Sequence, residues 1–192
     1  SYGAQIFLFS KEDGGFIRCV EEAKKLSKEI NGFLADQFAN EDNYLAHYET
    51  TGEEILQQMP VKIGGFVSGV GTGGTLMGIG TRLKEENDNM LITAIEPDKM
   101  PMLSGGEILG QHKIEGIGDD FIPDLIDMDK IDRIIQINDD DAINMSRKIA
   151  RDLGIGVGIS SGANFIGSVL LENEADGAVV TVFADDNKKY LS

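Results

Sequence analysis

One cysteine and two histidines are all that this 192-residue sequence contains. A lone Cys19 excludes an intrachain disulfide framework, and His47 and His112 are too few to complete a Cys/His metal cluster. Basic residues are also scarce: 17 Lys and Arg stand against 33 Asp and Glu, a net charge of −16. A surface that acidic repels phosphate backbones, so nucleic acid is not an expected partner. No apolar run approaches the ~18 residues that a membrane-spanning helix needs. Ser1-Tyr2-Gly3 does not open the basic-then-apolar pattern of a signal peptide. No membrane partner is expected, and the expected compartment is the cytoplasm. Asp139-Asp140-Asp141 lacks the alternation, central glycine and closing glutamate of a calcium loop, and reads as carboxylates at the positive end of a helix dipole.

Glycine, by contrast, is abundant. The 24 glycines cluster in residues 64–80, 105–118 and 154–167, between apolar runs, where backbone turns tightly or approaches a ligand. Short β-branched or aromatic runs alternate with amphipathic stretches of helix length. The predicted order is strand 5–9, helix 16–30 with Phe16, Val20, Ala23 and Ile30 on one face, and strand 32–36. A polar connector, 40–43, precedes a helix capped by Thr50 or Thr51 and ending before Pro60. A strand ending in Phe66-Val67, helix 75–84 and strand 91–96 follow, the last stopped by Pro97. Residues 97–131 show neither period clearly. Strand 133–137, a helix from Asn138 or Asp139 to Leu153, helix 163–172 and strand 178–183 complete the chain. This alternation predicts an α/β fold with an open, mostly parallel sheet and crossover helices.

Two glycine-bearing motifs could carry chemistry. Strand 66–68 leads through Gly69-Val70-Gly71-Thr72-Gly73-Gly74-Thr75 into a helix, a turn that leaves backbone N–H groups unpaired at a positive helix end with no Cβ to block an anion. A phosphate suits it. Gly69, Gly71 and Gly74 also satisfy G-x-G-x-x-G, with Glu96 placed 22 residues after Gly74, so dinucleotide binding stays open. No Gly-Lys-Ser/Thr follows, which excludes a nucleoside triphosphate loop. The second motif, Gly158-Ile159-Ser160-Ser161-Gly162, matches a nucleophile elbow, but both histidines precede the serine, against the hydrolase order. Ser160 is read instead as a helix cap or as a neutral hydrogen-bonding partner for a ligand's ring nitrogen. His47 and His112 are isolated in sequence and read as ordinary hydrogen-bonded histidines, with His112-Lys113 a small positive spot. Cys19, mid-helix, reads as a small apolar filler.

Taken together, His47-Tyr48-Glu49-Thr50-Thr51-Gly52, the 69–75 loop, Ser104-Gly105-Gly106, His112-Lys113-Ile114-Glu115-Gly116-Ile117-Gly118, Phe121-Ile122-Pro123, the 158–163 segment and Tyr190-Leu191-Ser192 resemble the cysteine synthase (O-acetylserine sulfhydrylase) family in order and spacing. The wider group is the fold type II pyridoxal 5'-phosphate (PLP) enzymes. The resemblance implies a sheet with helices on both faces, residues 1–38 ending a smaller domain and residues 39–192 forming a large but incomplete cofactor-binding domain. It implies that Gly71, Thr72, Gly73, Gly74 and Thr75 bind the cofactor phosphate and that Ser160 hydrogen-bonds the pyridine nitrogen, tempering the electron sink toward β-elimination. Gln37 matches a substrate-holding glutamine, and Gly116 and Gly118 match the loop at the substrate entrance. His112 and Lys113 match a patch that docks the C-terminal tail of serine acetyltransferase. A homodimer is also implied. Related β-replacing enzymes such as cystathionine β-synthase share much of the pattern.

The family's Schiff-base lysine lies in a Ser-Val-Lys-Asp-Arg-like stretch, followed by a Thr-Ser-Gly-Asn-Thr-like loop for the substrate carboxylate. Neither occurs here, and Lys62, Lys99 and Lys113 do not match that position. The chain is therefore expected to correspond to the C-terminal part of such an enzyme, inactive until joined to the missing N-terminal segment, with no catalytic residue of its own. The alternative is a non-catalytic homologue that binds PLP or the acetyltransferase tail. Asp119-Asp120 replaces a small Ala-Gly-like pair of the family; facing the site, two carboxylates would disfavour anionic substrates, and facing water they would do nothing.

Overall fold

Every strand pair in the sheet is parallel. Four strands, Ile63–Gly69 (β1), Leu91–Pro97 (β2), Arg133–Ile137 (β3) and Ala178–Thr181 (β4), lie in the order β3-β2-β1-β4. The computed structural model describes residues 3–10 and 12–190. Ser1, Tyr2, Leu191, Ser192 and the side chain of Phe16, all named in the sequence reading, lie outside the described residues. The chain divides into two compact units, Ser1–Gln37 and Phe38–Ser192.

In the first unit the predicted helix forms as Gly15–Ile30 (α1), ended by Asn31 in the left-handed conformation. Cys19 lies on it, half-buried. The two predicted flanking strands do not form: among the described residues neither 5–9 nor 32–36 pairs with a strand, and Ile6, Leu8 and Phe33 are exposed. A β-rich run becomes a strand only when a neighbour takes its ladder hydrogen bonds.

The second unit holds the sheet. Alternation along β1 sends Phe66 to one face and Val67 to the other. Phe66 packs with Ile92, Leu76, Ile79 and Leu83, bringing Gly74–Lys84 (α4) onto its face. Val67 packs with Ile95, Ala142, Ala163 and Leu171, placing Asp139–Leu153 (α5) and Ile159–Leu171 (α6) on the opposite face. The sheet is thus covered on both faces, as parallel sheets require.

Several boundaries differ from expectation, among them β4, which ends at Thr181 rather than at residue 183. Residues 40–43 are not a connector: Asn40 accepts from the Asp42 N–H and caps Glu41–Ala46 (α2). The helical path continues as a π-turn, His47–Gly52, and then Glu53–Gln58 (α3), so Thr50 and Thr51 lie inside the path rather than at its cap. Helix α6 starts four residues earlier than predicted, at Ile159 after Gly158. Asn138 caps α5 by accepting from the Asp140 N–H at 2.9 Å.

The chain leaves β1 for β2 and β3 on one side and returns to β4 on the other. In open parallel sheets this reversal of direction leaves a crevice outside the carboxyl ends of the two strands beside it, here β1 and β4.

Candidate functional site

The loop that leaves β1 is built to receive an anion. Residues 70–73 turn through Gly73, whose φ of +89° suits only glycine, into α4. Among the described residues, the backbone N–H groups of Gly71, Thr72, Gly73 and Thr75 find no acceptor, although Gly73 is buried and the other three are half-buried. Unpaired donors at a helix N-terminus favour negative charge. Thr72 and Thr75 add two hydroxyls.

Gly116 and Gly118 lie directly on this loop. The Gly118 N–H donates to the Val70 carbonyl at 2.9 Å, and a Cβ on Gly71 would strike the Gly116 carbonyl oxygen. Gly116 and Gly118 have φ values of +86° and +77°. His112 Nε2 lies 2.8 Å from the Gly118 carbonyl, so His112 is a strut behind this loop, and Lys113 is exposed beside it. Asp119 is half-buried, and its burial, with Asp120 adding to it, pushes the carboxyl above the usual range, against a lowering pull from His112. Asp120 is exposed.

Ser160 comes to the same end of the sheet through Asn164, one helical turn later on α6. The Asn164 side chain accepts from the Gly69 N–H at 2.7 Å and donates to the Val182 carbonyl at 2.9 Å. Gly167 then meets Ile95 and Val67, and Leu171 meets Gly65, so α6 runs antiparallel to β1 and starts beyond its carboxyl end. Ser160 is buried to 6% exposure, and its hydroxyl has no partner among the described residues. Neither histidine bonds it, which removes the hydrolase reading. The structure therefore unites Gly71, Thr72, Gly73, Gly74, Thr75, Gly116, Gly118 and Ser160. Gln37 is an exposed residue that ends the first unit.

Glu96 is spoken for. It is 2% exposed, accepts from the Leu103 N–H at 2.8 Å, and takes the Ser104 N–H and hydroxyl on its other oxygen. A carboxylate this buried and already engaged in pinning the 97–106 loop is not open to ribose hydroxyls, so the dinucleotide spacing is only formal.

Asp139 does more than complement a helix dipole. Its oxygens accept from Lys99 Nζ at 2.6 Å and from the Lys113 N–H at 2.9 Å, tying the long loop to α5. Burial works to raise its pKa, but those two donors outweigh it and hold the carboxyl below the ordinary range. A depressed folded-state pKa stabilises fully above the unfolded value of about 3.9, and that stabilisation disappears as pH falls through the folded value. Asp139→Asn is accordingly expected to melt below the wild type at neutral pH, with the gap closing under acid, in thermal melts from pH 7 to 2.5. A gap that is constant across this range would show that the charge contributes nothing. Among the described residues no group of His, Cys, Asp and Glu is placed to hold a metal ion.

A parallel sheet thus carries a turn of unpaired N–H donors at its switch point, with the buried Ser160 at the same end. Residues 1–185 match the family model described as pyridoxal-phosphate dependent enzyme, and the chain belongs to that family. It is 42% identical over 195 residues to a cysteine synthase of Staphylococcus aureus (strain Mu50 / ATCC 700699), with all of this chain and 62% of that protein aligned. A hydrogen sulfide-producing enzyme of Fusobacterium nucleatum superposes with a TM-score of 0.93 at 50% identity, covering 99% of this chain and 58% of that one. An O-acetylserine dependent cystathionine β-synthase of Helicobacter pylori gives 0.88 at 34%, covering 98% and 62%. The chain thus spans about three-fifths of the length of these relatives.

The donor set fits the family's cofactor. Four half-buried or buried N–H groups and two hydroxyls suit a phosphate ester, and a neutral serine suits a pyridine nitrogen. Sequence reasoning missed Asn43 and Asn164, which brace the site from 29 and 95 residues away. Side-chain amides reaching across the fold leave no periodic signal.

Proposed function

We propose that this chain is the cofactor-binding portion of a PLP-dependent β-replacement enzyme of the cysteine synthase type, making L-cysteine from O-acetylserine and sulfide. The observation that carries this reading is the convergence of the 71–75 cradle, the 116–118 loop and Ser160 in a chain 42% identical to a cysteine synthase. PLP supplies the electron sink for losing acetate from the β-carbon and adding sulfide there. This chain's own residues bind and orient: the cradle and both threonines hold the phosphate, Ser160 holds the ring nitrogen without protonating it, and Gly116 and Gly118 line the entry. Gln37 holds the substrate. The lysine that anchors the cofactor and moves the α-proton comes from a segment outside these residues, and a cytoplasmic homodimer is the working assembly. Lys113, with His112 behind it, is the docking point for the acetyltransferase tail.

PLP titration of the purified protein, with and without a lysine-bearing N-terminal segment, tests this. Binding weakened at least tenfold by the double change Thr72→Ala/Thr75→Ala, and cysteine formation only with the segment present, are expected. PLP binding indifferent to both threonines overturns the reading.

A second reading is release of sulfide from L-cysteine rather than its uptake. The 50% identity to a hydrogen sulfide-producing enzyme favours it, as does Asp119 in the entrance loop, where a carboxylate disfavours incoming anionic sulfide. Comparing the initial rates of the two directions separates the readings.

A further inference from the structure

A threonine hydroxyl carries one hydrogen and two lone pairs, so it can greet an anion as a donor or repel it. Which of these it does depends on what occupies its acceptor side. In Thr72 that side is filled: Asn43 Nδ2 donates to Oγ1 at 2.9 Å, and the Gly74 N–H approaches the same oxygen at 3.4 Å. In Thr75 it faces His47, whose Nε2 lies 3.0 Å from Oγ1, while Nδ1 of the same ring lies 3.2 Å from Thr51 Oγ1. Asn43 and His47 both belong to the α2 and π-turn path, which packs against α4 closely enough that a Cβ on Gly78 would come within 2.5 Å of the Tyr44 carbonyl oxygen and 2.8 Å of His47 Cβ.

We infer that Asn43 and His47 are positioning residues that fix the polarity of the Thr72 and Thr75 hydroxyls, turning both hydrogens toward the phosphate. This rests on the reading that the 71–75 loop holds the PLP phosphate. A neutral imidazole has one donor and one acceptor nitrogen, so the ring admits two arrangements. If Nδ1 carries the hydrogen, Nε2 consumes the Thr75 hydrogen and the anion meets a lone pair. If Thr51 donates to Nδ1, Nε2–H donates to Thr75 and the Thr75 hydrogen turns outward. Thr51 is available for this: among the described residues its hydroxyl has no other partner, whereas the Thr50 hydroxyl donates to the Ala46 carbonyl. Burial holds His47 below its usual pKa, which keeps the ring in the one-donor form at neutral pH. The chain Thr51 to His47 to Thr75 then has a single direction, matching the one that Asn43 imposes on Thr72.

The test compares PLP with pyridoxal, which lacks the phosphate, by equilibrium dialysis on the complete protein, and reads the His47 tautomer by 15N NMR. The expected tautomer is Nε2–H, with the preference weakened in Thr51→Val. His47→Leu is expected to weaken PLP about 5–10-fold, the worth of one neutral hydrogen bond, and to leave pyridoxal unchanged. His47→Gln, which keeps an N–H, restores most of it. Once Thr75→Val has removed the hydroxyl, His47→Leu should add nothing. An Nδ1–H tautomer with PLP bound, equal weakening of both ligands, or additive losses in the double variant overturns the inference while the phosphate reading stands. A Thr75→Val protein that binds PLP like the wild type overturns the inference alone, and only indifference to loss of both Thr72 and Thr75 hydroxyls overturns the phosphate reading as well.

Discussion

Gly71→Ala is expected to abolish tight PLP capture, weakening it at least about 100-fold, and to destabilise the protein by about 1–3 kcal/mol as an overpacked site does. The added methyl would overlap the carbonyl oxygen of Gly116, a backbone atom with no rotamer through which to retreat. Relief requires the 116–118 loop to move. That movement breaks the 2.9 Å bond from the Gly118 N–H to the Val70 carbonyl and the His112 contact behind it. Both walls of the site shift together, so the ligand loses its cradle and its entrance in one substitution. Equilibrium dialysis and thermal melts read the two effects. PLP affinity within threefold of wild type would show that the 116–118 loop has no part in holding the ligand.

Gly162→Ala should act through the helices instead. Gly162 lets α6 cross α5 so closely that a Cβ would overlap the Ala142 carbonyl oxygen and stand 2.8 Å from the Ser146 nitrogen. Both are backbone atoms of α5, and the two helices must separate. A loss of about 2–3 kcal/mol is expected, which for a chain of this size lowers Tm by roughly 4–12 °C. Because Ser160 lies two residues away on α6, pyridoxal binding should weaken along with PLP. A Tm within 1 °C of wild type would mean that the crossing has slack and that the glycine is not needed there.

The parallel sheet was legible because β1 to β4 are apolar runs bounded by Gly, Pro or a capping residue, and 133–137 matches to the residue. Segments 5–9 and 32–36 read as strands because composition reports what a chain could pair with, not whether a partner is there. The 41–58 helical path was misread at its start because Thr50 and Thr51 are good caps locally, and nothing local announces a π-turn. The turn after β1 and the placement of Ser160 near a helix start are legible from glycine spacing and from the resemblance. Asn43, His47 as a brace, and Asn164 were not, since each acts through a contact 28 to 95 residues distant. A dense run such as Gly71, Gly73, Gly74 and Gly78 signals that something must pack closely, and does not say what.

Asn164 has a consequence for motion. By taking the Gly69 N–H and giving to the Val182 carbonyl, one amide rivets the ends of β1 and β4 to the helix that carries Ser160. The span from the 71–75 turn to Ser160 is therefore tied on both sides by one side chain, and Asn164→Ala is expected to loosen it. On the proposed reading, in which the turn holds the phosphate and Ser160 the ring nitrogen, ligands are sorted by length as well as by charge, and a ring and phosphate joined by one methylene too many are expected to be refused.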